Sequence, residues 1–95
     1  MEKSQSAAWT FLSNHTHILI CLGKDPHLRV RDISSLVGIT ERAVLRILSE
    51  LEDAGAVSKI REGRRNHYAL NLELPLRHPL EAHRTIGELM EIILK

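Results

Sequence analysis

The sequence predicts a mainly α-helical domain with one small β-hairpin, its elements in the order α-α-α-β-β-α. Two observations predict it. Apolar residues recur at helical spacing in separate stretches, and a glycine sits between two short β-prone runs, Val57 to Arg61 and His67 to Leu72. The composition agrees: 43% of residues are hydrophobic, yet Trp9, Phe11 and Tyr68 supply all the aromatic rings, so Leu, Ile and Val must fill the core. A chain of 95 residues is the size of one domain. At that length it buries roughly 60–70% of the surface its unfolded form exposes, and no room is expected for a separate effector-binding domain.

The first helix is expected over Ser13 to Leu22, with Ile18, Leu19 and Leu22 on one face and Ser13 or Asn14 as N-cap. Lys24-Asp25-Pro26 closes it, because Pro26 disfavours helical geometry at Asp25 and has no N–H to donate. Leu28 to Val30 is too short for more than a small strand. Arg31 to Val37 then presents Ile33, Leu36 and Val37 inward, and Gly38 stands where a left-handed C-cap is wanted. Thr40 caps the next helix, which carries Val44, Ile47, Leu48 and Leu51 at i, i+3, i+4 and i+7 and runs to Ala54 before Gly55. Two helices joined by so short a turn form a helix-turn-helix unit.

Glu62-Gly63-Arg64-Arg65-Asn66 joins the two strands and makes a wing. Val57 and Ile60 point to opposite faces of the first strand, whereas Tyr68, Leu70, Leu72, Leu74 and Leu76 alternate until Pro75 and Pro79 interrupt pairing. The last helix is expected from Pro79 or Leu80 to Lys95. Its apolar side carries Leu80, Ala82, Ile86, Leu89, Met90 and Ile93, with Glu81, Arg84, Glu88 and Glu91 largely opposite.

Charge is distributed unevenly beneath a net +1. Arg29, Arg31, Arg42 and Arg46 outnumber Asp32 and Glu41 through the helix-turn-helix, and Lys59, Arg61, Arg64 and Arg65 face Glu62 alone in the wing. Glu50, Glu52 and Asp53 lie between them. The second helix of such a unit can enter a major groove and present its N-terminal residues to base edges. The positions opposite its apolar stripe are Thr40, Glu41, Arg42, Leu45, Arg46 and Ser49. Arg42 and Arg46 are one turn apart, each able to make the bidentate contact to guanine O6 and N7. Glu41 accepts from cytosine N4 or simply suits the helix N-terminus. The competing reading is a solvated face with pairs such as Arg46 and Glu50 at i, i+4. The wing favours the first reading: Lys59, Arg61, Arg64, Arg65 and Asn66 have little structural use at a hairpin tip, whereas phosphates or a narrow minor groove would attract them.

Ile33-Ser34-Ser35-Leu36-Val37-Gly38-Ile39-Thr40-Glu41-Arg42-Ala43-Val44, then Leu48, Leu51, Ala54-Gly55 and the Gly63-Arg64-Arg65-Asn66 tip, resemble bacterial MarR- and ArsR-type winged helix-turn-helix regulators over roughly residues 14–72. Leu74 to His83, with Trp9-Thr10-Phe11-Leu12, resembles a small one-domain MarR-type subset. The resemblance implies a homodimer that binds double-stranded DNA and regulates transcription, its recognition helix on Thr40 to Ala54 and its wing on Lys59 to Tyr68. One departure is Leu45, where such helices often carry a small polar residue. It touches a thymine methyl, or it marks a winged helix used as a protein-interaction module without DNA binding.

The organisation expected is a winged-helix core with its N-terminal segment over residues 1–76 and a dimerisation helix over 77–95. With no foreseen partner in its own chain, that helix is expected to pair about a two-fold through Leu80, Ala82, Ile86, Leu89, Met90 and Ile93, with Trp9 and Phe11 packed against it. Ile86→Glu with Ile93→Glu is then expected to leave a folded monomer. No enzyme is expected, for want of a phosphate loop, a Ser-His-Asp set or paired carboxylates. No cofactor or metal is expected either: His17 and Cys21 share a face without a second Cys, and His78 and His83 are badly spaced. The longest apolar run, Ile18 to Leu22, falls far short of the roughly 20 residues of a membrane span, and no basic region precedes it as in a signal peptide. A lone Cys21 agrees with a reducing compartment, and a cytoplasmic protein is expected. An effector ligand is not legible.

Overall fold

The computed structural model describes residues 9–95. Its elements are α1 (Asn14–Lys24), α2 (Val30–Val37), α3 (Glu41–Asp53), β1 (Val57–Glu62), β2 (Arg65–Leu70) and α4 (Ile86–Leu94), the predicted order of a winged helix.

Each of the first three helices starts and stops for a local reason. Ser13 caps α1, its Oγ accepting from Thr16 N at 3.3 Å, and the chain leaves the helix at Asp25 before Pro26. α2 begins at Val30, where the Asp32 carboxylate reaches back to the Arg29 N–H at 3.2 Å. Thr40 Oγ1 accepts from Ala43 N at 3.0 Å and opens α3. At the far end of α3, Gly55 N donates to Glu52 O and Ala56 N to Leu51 O, a Schellman closure with Gly55 at φ 80°. That closure turns the chain inward, so that Ala56 and Val57 are buried at the start of β1.

Ile18, Leu22, Ile33, Val44 and Ile47 are the most deeply buried side chains, and α1, α2 and α3 meet around them. The core is aliphatic, as composition requires. β1 and β2 pair antiparallel from Val57 with Leu70 to Glu62 with Arg65, leaving Gly63 and Arg64 as a two-residue turn. Gly63 takes φ 61°, the left-handed value that such tight hairpin turns need at their first position. The small strand expected over Leu28 to Val30 does not form. One backbone bond stands there instead, from Tyr68 N to Pro26 O at 3.2 Å, tying the α1–α2 loop to the outer edge of β2.

The C-terminal region departs most from expectation. Residues 78–84 form successive turns rather than helix, with Glu81 N donating to His78 O and Arg84 N to Glu81 O. α4 starts at Ile86 because Thr85 and Glu88 form a capping box: Glu88 N donates to Thr85 Oγ1 at 3.2 Å and Thr85 N to Glu88 Oε1 at 3.0 Å. The helix has a partner in its own chain after all. Gly87 N donates to Leu72 O at 2.8 Å, Ile86 N to Leu74 O and Leu76 N to Arg84 O, which lays 72–76 against the start of α4. A Cβ on Gly87 would stand 2.8 Å from the Leu72 carbonyl oxygen, so only glycine allows this approach. α4 then packs on α1, burying Ile86 and Met90.

The Glu88 carboxyl is held below the usual carboxylate range, first by the Thr85 N–H and then by Arg84. A depressed acid stabilises the fold above its unfolded pKa, and that contribution disappears as pH falls through the folded pKa. Glu88→Gln is therefore expected to flatten the acid limb of the thermal-stability profile, while Thr85→Ala lowers stability by about 1 kcal/mol near neutral pH. Thermal melts from pH 3 to 7 check both. An unchanged acid limb in Glu88→Gln would mean that the box does not hold the helix end.

Candidate nucleic-acid interface

Four buried residues, Val44, Ile47, Leu48 and Leu51, fix the orientation of α3 on the core. Its opposite face is free: Thr40, Glu41, Arg42, Leu45, Arg46 and Ser49 are all exposed. Glu41 lies in the first turn, where a carboxylate suits the positive end of the helix. Arg42 has no ion-pair partner among the described residues.

Arg46 is engaged. Its Nη1 lies 3.3 Å from Glu50 Oε2, and Glu50 Oε1 in turn meets His15 Nε2 of α1 at 2.7 Å. The Glu50 carboxyl is held below its ordinary range, chiefly by the His15 hydrogen bond and next by Arg46. The i, i+4 pair foreseen as the competing reading thus exists. An exposed, salt-screened pair of this kind is weaker than a charge-assisted bond to a phosphate or a guanine edge, so it parks Arg46 without disabling it.

In the wing, Lys59, Arg61, Arg64, Arg65 and Asn66 are exposed. Alternation along the paired strands puts Lys59, Arg61 and Asn66 on the face that nearer the core carries Val57 and Leu70. Arg65 falls on the other face, with Ile60, Glu62 and His67. Arg61 also braces the tip, its Nε donating to Gly63 O at 3.3 Å.

The residues expected at a dimer interface differ widely in burial. Ile86 and Met90 are core residues of their own chain, and Leu89 and Ile93 are half-buried. Leu80 and Ala82 are exposed on turns rather than on a helix. Trp9 and Phe11 stack edge-on against each other with centroids 4.9 Å apart, and they remain 68% and 93% exposed. Ile92, absent from the expected set, is 79% exposed on α4.

Cys21 is half-buried, and burial pushes its thiol above the usual range, away from the thiolate that metal binding or nucleophilic chemistry uses. A different group of metal-binding side chains does come together: His27 of the α1–α2 loop with Glu62 and His67 of the wing. Sequence spacing gives no sign of it, because the loop meets the hairpin only through tertiary structure.

A helix-turn-helix followed by a basic hairpin defines the class: this chain carries a winged helix-turn-helix domain. Residues 12–58, from just before α1 into β1, match the family described as winged helix-turn-helix DNA-binding. The chain is also similar to an uncharacterized protein of Methanocaldococcus jannaschii, 35% identical over 74 residues that make up 77% of this chain. Those residues span only 16% of that protein's length. Among the described residues, no helix is long and apolar enough to cross a membrane.

Proposed function

We propose that this chain binds double-stranded DNA sequence-specifically as a homodimer and regulates transcription in the cytoplasm, in the manner of small single-domain MarR-type proteins. The observation that carries the reading is the outward face of α3, where Arg42, Leu45, Arg46 and Ser49 stand exposed on a helix locked by its apolar stripe. A helix so held keeps its side chains in register with successive base pairs. Arg42 and Arg46 read base edges, and the wing residues Lys59, Arg61, Arg64, Arg65 and Asn66 hold the phosphates or enter the minor groove.

Dimerisation is proposed through some of the apolar groups left exposed among the described residues: Trp9, Phe11, Leu80 and Ile92, with Leu89 and Ile93 at the margin. Covering them is favourable at about 25 cal/mol per Å² before association entropy is subtracted. A two-fold pair would set two recognition helices roughly 34–36 Å apart, on a near-palindromic site.

A specific observation favours a second reading. Leu36 of α2 and Leu45 of α3 are 67% and 56% exposed, which would also suit a winged helix that binds protein. Salt separates the two: a dimer neutralising roughly 6–10 phosphates loses about 10³–10⁵ in affinity between 50 and 200 mM salt. Arg64→Ala with Arg65→Ala is expected to weaken binding to every duplex alike and to reduce the salt slope by about 0.9 for each phosphate no longer neutralised. Fluorescence anisotropy on labelled duplexes measures both quantities. Wild-type affinity and slope in the double variant would remove the wing from the interface, and duplex affinity insensitive to salt would favour the protein-binding reading.

A further inference from the structure

We infer that His27, Glu62 and His67 form a binding site for a zinc-class divalent cation at the root of the wing. The ligand atoms of the three side chains all lie within 4.8 Å of one another. Glu62 Oε1 is 3.2 Å from His67 Nδ1 and 4.0 Å from His27 Nε2, and the two imidazole rings are tilted together with centroids 4.9 Å apart. Metal–ligand bonds of about 2.0–2.2 Å in a tetrahedral shell separate neighbouring ligand atoms by roughly 3.3–3.6 Å. The 3.2 Å and 4.0 Å separations seen here bracket that spacing. Two imidazoles and one carboxylate make a three-ligand set with a fourth position left for water, a combination that borderline metals such as zinc accept.

Two further features point to a cation rather than to a chance hydrogen bond. The first is the company Glu62 keeps. It is the one acid in the basic stretch from Lys59 to Arg65, with Arg61, Arg64 and Arg65 close in the chain and Arg65 directly opposite it in the hairpin. Yet its carboxylate turns to the two histidines, and among the described residues it pairs with no arginine. His67 Nδ1, which it approaches, is buried and finds no well-directed hydrogen bond there, although Glu62 Oε1 is 3.2 Å away. The distance is right for a hydrogen bond and the angle is not, so this buried nitrogen is left without a protein partner.

The second feature is Asp25. Its Oδ1 accepts from the His27 backbone N–H at 3.0 Å and lies 4.0 Å from His27 Nδ1, the ring nitrogen away from Glu62. At 4.0 Å this carboxylate makes no hydrogen bond to the ring, but its charge favours the proton on the near nitrogen and so leaves the other one for metal. Asp25 and Glu62 also supply two negative charges beside a dication that would otherwise stand near Arg65. A cation here joins the α1–α2 loop to both strands of the hairpin, beside the backbone bond from Tyr68 N to Pro26 O.

The test uses the full chain, stripped by dialysis against chelator and titrated at pH 7 with Zn²⁺ in competition with a chromophoric chelator. One zinc per chain is expected, with the ring resonances of His27 and His67 shifting together and those of His15, His17, His78 and His83 unmoved. His27→Ala and His67→Ala should each weaken binding at least as much as Asp25→Asn, for which an outer-partner loss of about 10–100-fold is expected. His78→Ala with His83→Ala should leave affinity unchanged. Absence of stoichiometric zinc at tens of micromolar would overturn the site, and so would full zinc affinity in His27→Ala. Should His67→Ala fail to fold, the wild-type ring shifts decide: movement of His78 or His83 in place of His27 and His67 refutes the assignment. None of these readings involves DNA, so the site stands or falls separately from the proposed function.

Discussion

Ile86→Glu is expected to unfold the domain. The side chain is 3% exposed, seated at the start of α4 and in the core that contains Ile18, Leu22 and Ile47. Removing a buried aliphatic side chain of this size costs about 2–5 kcal/mol, and an unpaired buried carboxylate adds a penalty of several more. A domain of this size is stable by only about 5–15 kcal/mol. Circular dichroism should show loss of helix at 25 °C, or a urea midpoint far below wild type. The comparison variant is Ile92→Glu, further along the same helix but 79% exposed. It should stay folded, its urea midpoint lowered only by the dimer contact it gives up and far less than in Ile86→Glu, and sedimentation should show it more dissociated than wild type. A folded, monomeric Ile86→Glu protein would mean that Ile86 lies between chains, as its sequence position suggested, and not within one.

That reversal shows where the sequence was legible and where it was not. α1, α2 and α3 announce themselves because each carries its own apolar stripe and its own stop: Ser13 and Pro26, Gly38, Thr40 and Gly55 all act through neighbours a few residues away. The hairpin is equally local, since Gly63 sets its turn. The start of α4 was also written locally, in Thr85-Ile86-Gly87-Glu88, but Pro79 offers a competing first-turn signal earlier in the chain. Its burial could not be foreseen, because the partners of Ile86 and Gly87 are backbone carbonyls of Leu74 and Leu72. The same holds for the site residues. The outward set on α3 follows from helical periodicity, and Arg46 with Glu50 from i, i+4 spacing. His15 joining Glu50, and His27 meeting Glu62 and His67, depend on elements far apart in the chain.

The second large effect is expected on DNA. Arg42→Ala should cost about 1–3 kcal/mol on the preferred sequence, roughly 5- to 150-fold in affinity, and much less on unrelated duplex. Arg42 is the better candidate for a base contact than Arg46, because no ion pair among the described residues restrains it. Arg46→Ala also releases Glu50 toward His15, so its effect combines the missing guanidinium with an altered charge on the recognition helix. Selection of bound fragments from a random pool supplies the preferred sequence, and anisotropy on that site and on a scrambled one gives the difference. An equal loss on both duplexes would reassign Arg42 to the phosphate backbone.

The hairpin has another consequence, for handling the protein in solution. A sheet of two strands has two free edges, and among the described residues only the Tyr68 N to Pro26 O bond occupies either of them alongside the paired segment. Such an edge is a template on which the strand of another molecule can form. Lys59, Arg61 and Arg65 line the strands with like charge, and 40%-exposed Ile60 lies among them. Two hairpins approaching edge to edge therefore repel one another. The arginines proposed to grip phosphate would then also keep the free protein from precipitating. Charge-removing substitutions in the wing should lower solubility as well as DNA affinity, most of all at low salt, where the repulsion they abolish is least screened.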